Sequence, residues 1–354
     1  MDKRIAVLGT GANGSSLSAD LMRAGIPVTM IDQWPAHVEA MRASGLRITM
    51  PGDREFYIPQ VDAHHLCDVC SLHRTFDIVF LMMKAYDARW AAEFIKPYLA
   101  PDGIVVGAQN AMTAQTIADV VGPERTVGCV VELSAELFTP GVVRRNTVPE
   151  KTWFGIGSLD GSTDARLPEI EALLAHCGKV SRSDNVLSAK WMKLVVNTMC
   201  LAPFAVVGLS MSEAVKLPGM RDLFLRIGAE ALDVGQQLGY TIEPIFGLTA
   251  EDMRGTNQLL EKMFDKLQRD IGGHSARNCV LQDMHKGRYS EVDLINGLVV
   301  DESERLARAA PANAAIVELA RQIHAGTLKP DPSNMEIVAR MLANAPAREP
   351  AISP

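Results

Sequence analysis

Nothing in this chain approaches the ~20 uninterrupted apolar residues that crossing a bilayer requires. A long apolar segment, Leu194–Leu209, is broken by Asn197, Thr198 and Pro203. Basic runs are missing as well: 35 Lys and Arg stand against 42 Asp and Glu, a formal charge of -7. A polyanion needs a concentrated basic face, so nucleic acid is excluded as a partner, while one local Lys or Arg still suffices for a small anion. Six cysteines in 354 residues are too sparse for a disulfide framework. The first apolar run starts beside Arg4, which leaves no room before it for a charged leader and cleavage site. The expectation is a reduced, cytoplasmic protein with no membrane partner. No internal repeat is visible.

What is present fits a globular chain: 47% hydrophobic and 22% charged residues. The length exceeds one ordinary core, so two domains are expected. Arg4–Leu8 is a short, largely apolar run ending in glycine, the form of a buried parallel strand. Val28–Ile31, Asp77–Met82, Gly103–Ala108 and Val127–Leu133 repeat that form. Helical patterns separate several of them, at Ser15–Ala24, His37–Ala43 and Arg89–Tyr98. Strands and helices alternating at these lengths make a doubly wound parallel sheet of Rossmann type. From Val142 to Ile156 the pattern is short and β-like, and Asp164–His176 reads as a further helix. After Ser183 the pattern turns almost entirely helical, with breaks at Gly208, Pro218, Gly239, Pro244 and Gly272-Gly273. This divides the chain into an α/β domain over 1–183, an all-helical domain over 184–328 and a Pro/Ala-rich tail over 329–354. Within that tail only a piece around Met335–Leu342 reads as helical. The stretch Arg221–Leu238 fits either a homodimer interface or packing inside the second domain.

The first strand opens onto Gly9-Thr10-Gly11-Ala12-Asn13-Gly14, which in turn opens a helix. A lone GxGxxG is weak, but here the strand and helix that give it meaning are both in place. Gly9 permits the tight turn, Gly11 lets backbone approach a pyrophosphate, and Gly14 lets the helix pack on the strand. With Ala12 and Asn13, these residues present free N–H groups and a positive dipole end to phosphates. Asp32, ending the second strand, is placed to accept the ribose 2′- and 3′-hydroxyls and to repel a 2′-phosphate. Gln33 brings no cation, which favours NAD over NADP, although Arg42 or Arg47 is near enough to supply one. Asp32 also suits a competing structural role, capping the helix that starts near Pro35.

Five motifs fall in a familiar order. They are the glycine turn, Met83-Lys84-Ala85, Gln109-Asn110, Trp191-Met192-Lys193 with Asn197, and Ser290-Glu291-Val292-Asp293-Leu294-Ile295-Asn296-Gly297. In that order the sequence resembles the ketopantoate reductases over roughly residues 1–325, the last motif being the most specific. The resemblance implies a Rossmann domain followed by a helical domain like that of 6-phosphogluconate dehydrogenase, with the active site in the cleft. It implies reduction of a 2-oxo acid to a 2-hydroxy acid. Lys193 would be the general acid and Glu291 the carboxylate that orients the substrate or Lys193. Asn110 would lie by the nicotinamide, and Lys84 at the cleft mouth.

The residues carry part of this themselves. Lys193 and Asn197 are four apart on a helix and share one face. An ammonium among Trp191, Leu194, Val195 and Met199 is expected to be desolvated and so a better proton donor. Each residue also has a plainer reading. Lys193 fits a surface lysine whose stem covers apolar neighbours, Lys190 competes for the same role, Glu291 fits the first turn of a helix, and Asn197 fits a buried structural amide.

Three pocket positions depart from the family. Leu201 stands where a second Asn is usual, and Ala276 and Cys279 stand where an Asn and a Ser often bind substrate. Such losses weaken discrimination for a polar substrate, with Arg277 and Asn278 adjacent as possible replacements. Ala111 follows Gln109-Asn110 in place of the usual glycine. A more apolar pocket with NAD resembles the D-2-hydroxyacid dehydrogenases that act on branched or aromatic 2-oxo acids. A β-hydroxyacid dehydrogenase would carry a Gly-rich substrate motif before the Lys, an opine dehydrogenase a His-Asp pair, and a dinucleotide sensor would need neither Lys193 nor Glu291. The His64–His73 stretch holds a C-x2-C with flanking histidines, but no second such pair follows, and metal is not expected.

Overall fold

The computed structural model describes residues 3–249, 251, 256–271 and 276–345. The Gly272-Gly273 break and the end of the tail lie outside them. The chain forms two compact units, Met1–Lys193 with Ile242–Arg254, and Leu194–Thr241 with Gly255–Pro354. The dividing point therefore falls inside a helix, Val186–Cys200, rather than in a linker, and the 242–254 segment returns to the first unit.

The first unit is built on an eight-stranded sheet. In chain order its strands are β1 (Ile5–Leu8), β2 (Val28–Asp32), β5 (Asp62–His65), β6 (Phe76–Leu81), β7 (Leu99–Gly107), β8 (Thr126–Glu132), β11 (Trp153–Ser158) and β12 (Lys179–Arg182). Their spatial order is β12-β11-β8-β7-β6-β1-β2-β5. Neighbours pair in parallel except β11 with β8, which run antiparallel. β1 lies between β2 and β6, and all four of its residues are buried. A strand covered on both faces has no reason to alternate polar and apolar residues, which is why it is a plain hydrophobic run. The edges differ: β12 is mostly exposed and carries Lys179 and Arg182, which discourages pairing with another chain.

Helices α1 (Ala12–Arg23), α2 (Pro35–Ser44), α3 (Ala88–Ile95), α4 (Ala114–Val121) and α5 (Leu167–Leu174) cover the sheet. The expected helix through Tyr98 stops at Ile95, because Pro97 cannot supply the next hydrogen-bond donor, and 96–98 tighten into a 3-10 turn. A second, four-stranded sheet was not foreseen. It pairs β4 (Arg54–Ile58) with β3 (Leu46–Met50), β3 with β10 (Val142–Arg145), and β10 with β9 (Ala135–Thr139). Two buried groups tie it down. Arg145 donates to Asp20 on α1, to Thr152 and to the carbonyls of Thr147 and Cys177. Gly141 N–H donates to His37 Nδ1.

Helix α6 (Val186–Cys200) carries the chain into the second unit, which is all-helical in its described residues. It contains α7 (Ala202–Val206), α8 (Met211–Ala214), α9 (Met220–Gln237), α10 (Thr256–Ile271), α11 (Cys279–His285), α12 (Val292–Arg305), α13 (Pro311–His324) and α14 (Asn334–Ala343). Helix α13 packs against α7, α9, α12 and α14. The buried Glu230 of α9 accepts the N–H groups of Ala312 and Asn313, capping α13 from a neighbouring helix. That contact commits the buried face of α9 to its own unit. Within the expected tail, the helical piece around Met335–Leu342 is present as α14, and it is anchored. Asn334 is buried and donates to the carbonyls of Val206 and Lys329, and Val338, on the same helix α14, is buried too. No helix among the described residues is long and apolar enough to cross a membrane.

Candidate active site

The glycine turn shows three different demands at its three glycines. Gly9 has φ +92°, and a Cβ there would stand 2.6 Å from Met83 N. Around Gly11 nothing lies within 4 Å of an added Cβ, so its outer side is open. At Gly14 a Cβ would meet Gly9 O at 2.2 Å. Gly9 and Gly14 are thus required by the fold itself, and Gly11 leaves room for an incoming group. That is the cradle a dinucleotide pyrophosphate needs at the first turn of α1.

Behind this turn stands His37 of α2, fully buried. Because Gly141 N–H donates to its Nδ1, its proton sits on Nε2, which donates to Thr10 O at 2.9 Å. Ser15 Oγ donates to the same carbonyl at 2.6 Å. Burial pulls the imidazole below its ordinary range, against the opposing pull of Asp32. Sequence reading passed over His37, since a single histidine in a helical pattern carries no signal of its own. Asp32 itself is buried, accepting from Trp34 N at 2.8 Å and Thr10 Oγ1 at 3.3 Å. It shapes the turn before α2, whose N-cap residue is Trp34, so the expected helix-capping role is not the one it plays.

The C-terminal ends of β6, β7 and β8 bring the next residues together. Lys84 is half-buried three positions past β6, and Asn110 is half-buried three past β7. From α6, Lys193 extends its ammonium to Glu132 Oε2 at 2.5 Å. The same Nζ lies 4.8 Å from the centroid of the Phe246 ring, which meets Trp153 edge-on. Phe246 holds φ +60°, a left-handed backbone that a bulky residue rarely adopts. Lys193 is only 9% exposed, so the surface-lysine reading fails. The expectation of an ammonium alone in apolar surroundings also needs correction, because Glu132 provides a counter-charge. The signal for Glu132 was in the sequence: a carboxylate ends the otherwise apolar β8.

Lys190, the rival, points elsewhere. It is 3% exposed and donates to Gln109 O at 3.0 Å and Cys129 O at 3.2 Å. Burial lowers its pKa from 10.5 to about 8, against a smaller opposing influence of the Cys129 thiol. The unfolded chain therefore holds this proton to higher pH than the fold does, and stability gains as pH rises between those values. Against a Lys190→Met variant, the wild-type fold should gain roughly 3 kcal/mol between pH 8 and 10.5. Urea melts of both proteins across that range check it, and a constant difference would unlink this proton from folding.

In the helical unit, Asn197 is buried on α6 and Glu291 is buried at the N-cap position of α12. The next turn of α12 places Asn296 on the carbonyl of Thr198 and on Asn313 Oδ1. The specific final motif is thus partly a packing signature.

The family models settle what this arrangement belongs to. Residues 5–158 match the model described as Ketopantoate reductase PanE/ApbA, and residues 185–324 match its C-terminal counterpart. The chain belongs to the ketopantoate reductase PanE/ApbA family. It is a pyridine-nucleotide-dependent reductase of that family. Among curated relatives, a 2-dehydropantoate 2-reductase of Mesorhizobium japonicum is 26% identical, covering 90% of this chain and 97% of its own. A PanE/ApbA family ketopantoate reductase from Ralstonia eutropha JMP134 superimposes with a TM-score of 0.74 at 26% identity, covering 91% of this chain and 99% of its own. D-Mandelate dehydrogenase, solved with NADH and anilino(oxo)acetate, shares the fold with a TM-score of 0.79 at 21% identity, covering 91% and 99%.

The three positions expected to depart from the family at the substrate are placed as follows. Leu201 is half-buried, Ala276 is 8% exposed and Cys279 opens α11. Asn278 does not compensate for them. Its Oδ1 caps α11 at Leu281 N, and its Nδ2 donates to the carbonyls of Leu201 and Cys200. The C-x2-C stretch folds as β5 and a 3-10 turn with Cys67 and Cys70 exposed. No group of three or more metal-ligating side chains occurs among the described residues.

Proposed function

We propose that this reductase converts a 2-oxo acid to its 2-hydroxy acid with NADH, ketopantoate being the first substrate to test. The observation that carries the reading is the buried Lys193–Glu132 pair, roofed by Phe246 at the ends of the Rossmann strands. Hydride is the chemistry a bound nicotinamide supplies. As the carbonyl oxygen gains negative charge, Lys193 Nζ gives it a proton and becomes a neutral amine. Glu132 keeps that nitrogen oriented, and Phe246 excludes water from it. Asn110 and Asn197 hydrogen-bond the substrate or the nicotinamide, Glu291 orients the substrate, and Lys84 draws the anionic ligands in. Gly9, Gly11, Ala12, Asn13 and Gly14 hold the pyrophosphate. Residues 1–183 act as the dinucleotide domain and 184–328 as the helical one. Cysteine is sparse, six in 354 residues, which suits a reducing cytoplasm.

The choice of NAD rests on charge. Arg42 is spent on Glu39, Asp68 and the carbonyl of Ala63, and Arg47 on Glu55 and the Tyr57 ring. Neither supplies the cation a 2′-phosphate requires, and Asp32 repels one. Asp32→Ala should raise the KM for NADH by about 10- to 100-fold, the worth of charge-assisted bonds to the ribose. Its effect on NADPH should be far smaller. Equal losses with both dinucleotides would remove the ribose contact.

The function is tested by NADH and NADPH oxidation with ketopantoate, 2-oxoisovalerate and phenylglyoxylate, ranked by kcat/KM. Failure to turn over any 2-oxo acid overturns it.

A further inference from the structure

Lys190 is a charged group without an assignment. It sits one turn before Lys193 on α6, buried, and among the described residues no carboxylate pairs with it. Its two partners are main-chain carbonyls on neighbouring strands or strand ends, Cys129 in β8 and Gln109 just past β7. Burying an ammonium against neutral dipoles alone is costly, and tying two carbonyls together needs no full charge. The cost makes sense if the tie must be stiff.

Gln109 is held on its other sides too. Its Nε2 donates to Leu81 O at 2.7 Å, at the end of β6, and its Oε1 accepts from Thr113 Oγ1 at 2.9 Å, beside α4. Its side chain thus holds the end of β6, and its carbonyl, by way of Lys190, is tied to the middle of β8. A peptide unit is planar, so fixing the Gln109 carbonyl also fixes the nitrogen of Asn110 and the plane from which Asn110 departs. We propose that Lys190 is a positioning residue for the reduction, setting the Gln109–Asn110 peptide and with it the direction of the Asn110 side chain. This rests on the reading of Asn110 as a contact of nicotinamide or substrate. Ala111, directly after this pair, has a narrower backbone range than glycine would.

A double-mutant cycle separates positioning from simple support. Lys190→Gln should lower kcat for 2-oxo acid reduction by about 10- to 50-fold, with the NADH dissociation constant within about twofold. In an Asn110→Ala background the same change should cost less than about threefold, since the side chain it aims is gone. Equal losses in both backgrounds overturn the proposal and leave the Asn110 reading standing. Wild-type kcat in Asn110→Ala overturns that reading, and the proposal with it.

A second measurement needs no Lys190 variant. The ratio of kcat between wild type and Asn110→Ala is followed from pH 6.5 to 9.5, through the range in which Lys190 loses its proton. The ionisable groups around it are the Cys129 thiol, which burial holds protonated, and the Lys193–Glu132 pair one turn on. Lys193 and Glu132 are present in both proteins, so what they contribute to the profile is common to numerator and denominator. The ratio should shrink by about fivefold or more at high pH as the tie slackens. A ratio constant across the range overturns the proposal.

Discussion

Lys193→Ala is expected to lower kcat by more than ~100-fold with the NADH dissociation constant within about threefold, the profile of a lost general acid. Three features make Lys193 the donor. It comes from a rigid helix whose neighbours Trp191, Leu194 and Val195 are buried, so its origin is fixed. Its ammonium has one strong partner, Glu132, and three protons to give, so hydrogen-bonding capacity is left for a substrate oxygen. The Phe246 face covers the same nitrogen and limits its exchange with water. Glu132→Gln should show a milder loss, because an amide still orients the nitrogen but carries no counter-charge. Steady-state and single-turnover kinetics on both variants decide the matter. Near-normal turnover in Lys193→Ala would take the proton from another source, and Lys190 would be the next residue to replace.

Much of the first unit was legible because its strands are buried on both faces, and a continuous apolar run such as Ile5–Leu8 has few other meanings. The small sheet was not. β4 is largely exposed and reads Arg-Glu-Phe-Tyr-Ile, and β9 buries a carboxylate, Glu136, so neither shows the hydrophobic pattern that betrays a strand. Their pairing is fixed by distant partners such as Arg145 with Asp20, which no local window contains. The site divides in the same way. The glycine turn and Asp32 are contiguous features whose spacing states their geometry. The Lys193–Glu132 pair joins positions 61 apart in the chain. Either residue could be suspected alone, but the sequence does not say that they touch. Phe246 was still less visible, since it lies beyond an expected break at Pro244 and acts through a left-handed turn.

Gly14→Ala and Gly11→Ala should fail in opposite ways, and the contrast tests the dinucleotide cradle. At Gly14 the new methyl would sit 2.2 Å from Gly9 O and 3.1 Å from Gly9 C, both backbone atoms of the turn, with Val7 Cγ1 at 3.3 Å. Nothing there is a flexible side-chain end, so helix α1 must lift from β1. Overpacking of this kind costs about 1–3 kcal/mol or more. The melting temperature should fall by about 2–4 °C for each kcal/mol lost, the shift expected of a folding unit of this size. NADH affinity should fall with it as the first turn of α1 is displaced. At Gly11 the methyl meets nothing within 4 Å, so the fold should melt within about 2 °C of wild type. Yet that open side is where a pyrophosphate would approach the backbone, and a methyl there should weaken NADH binding by about 10-fold or more. Calorimetric melting with and without NADH separates the two variants. A Gly11→Ala protein that keeps both its stability and its NADH affinity would show that the phosphates approach elsewhere, and the assignment of this turn would have to be abandoned.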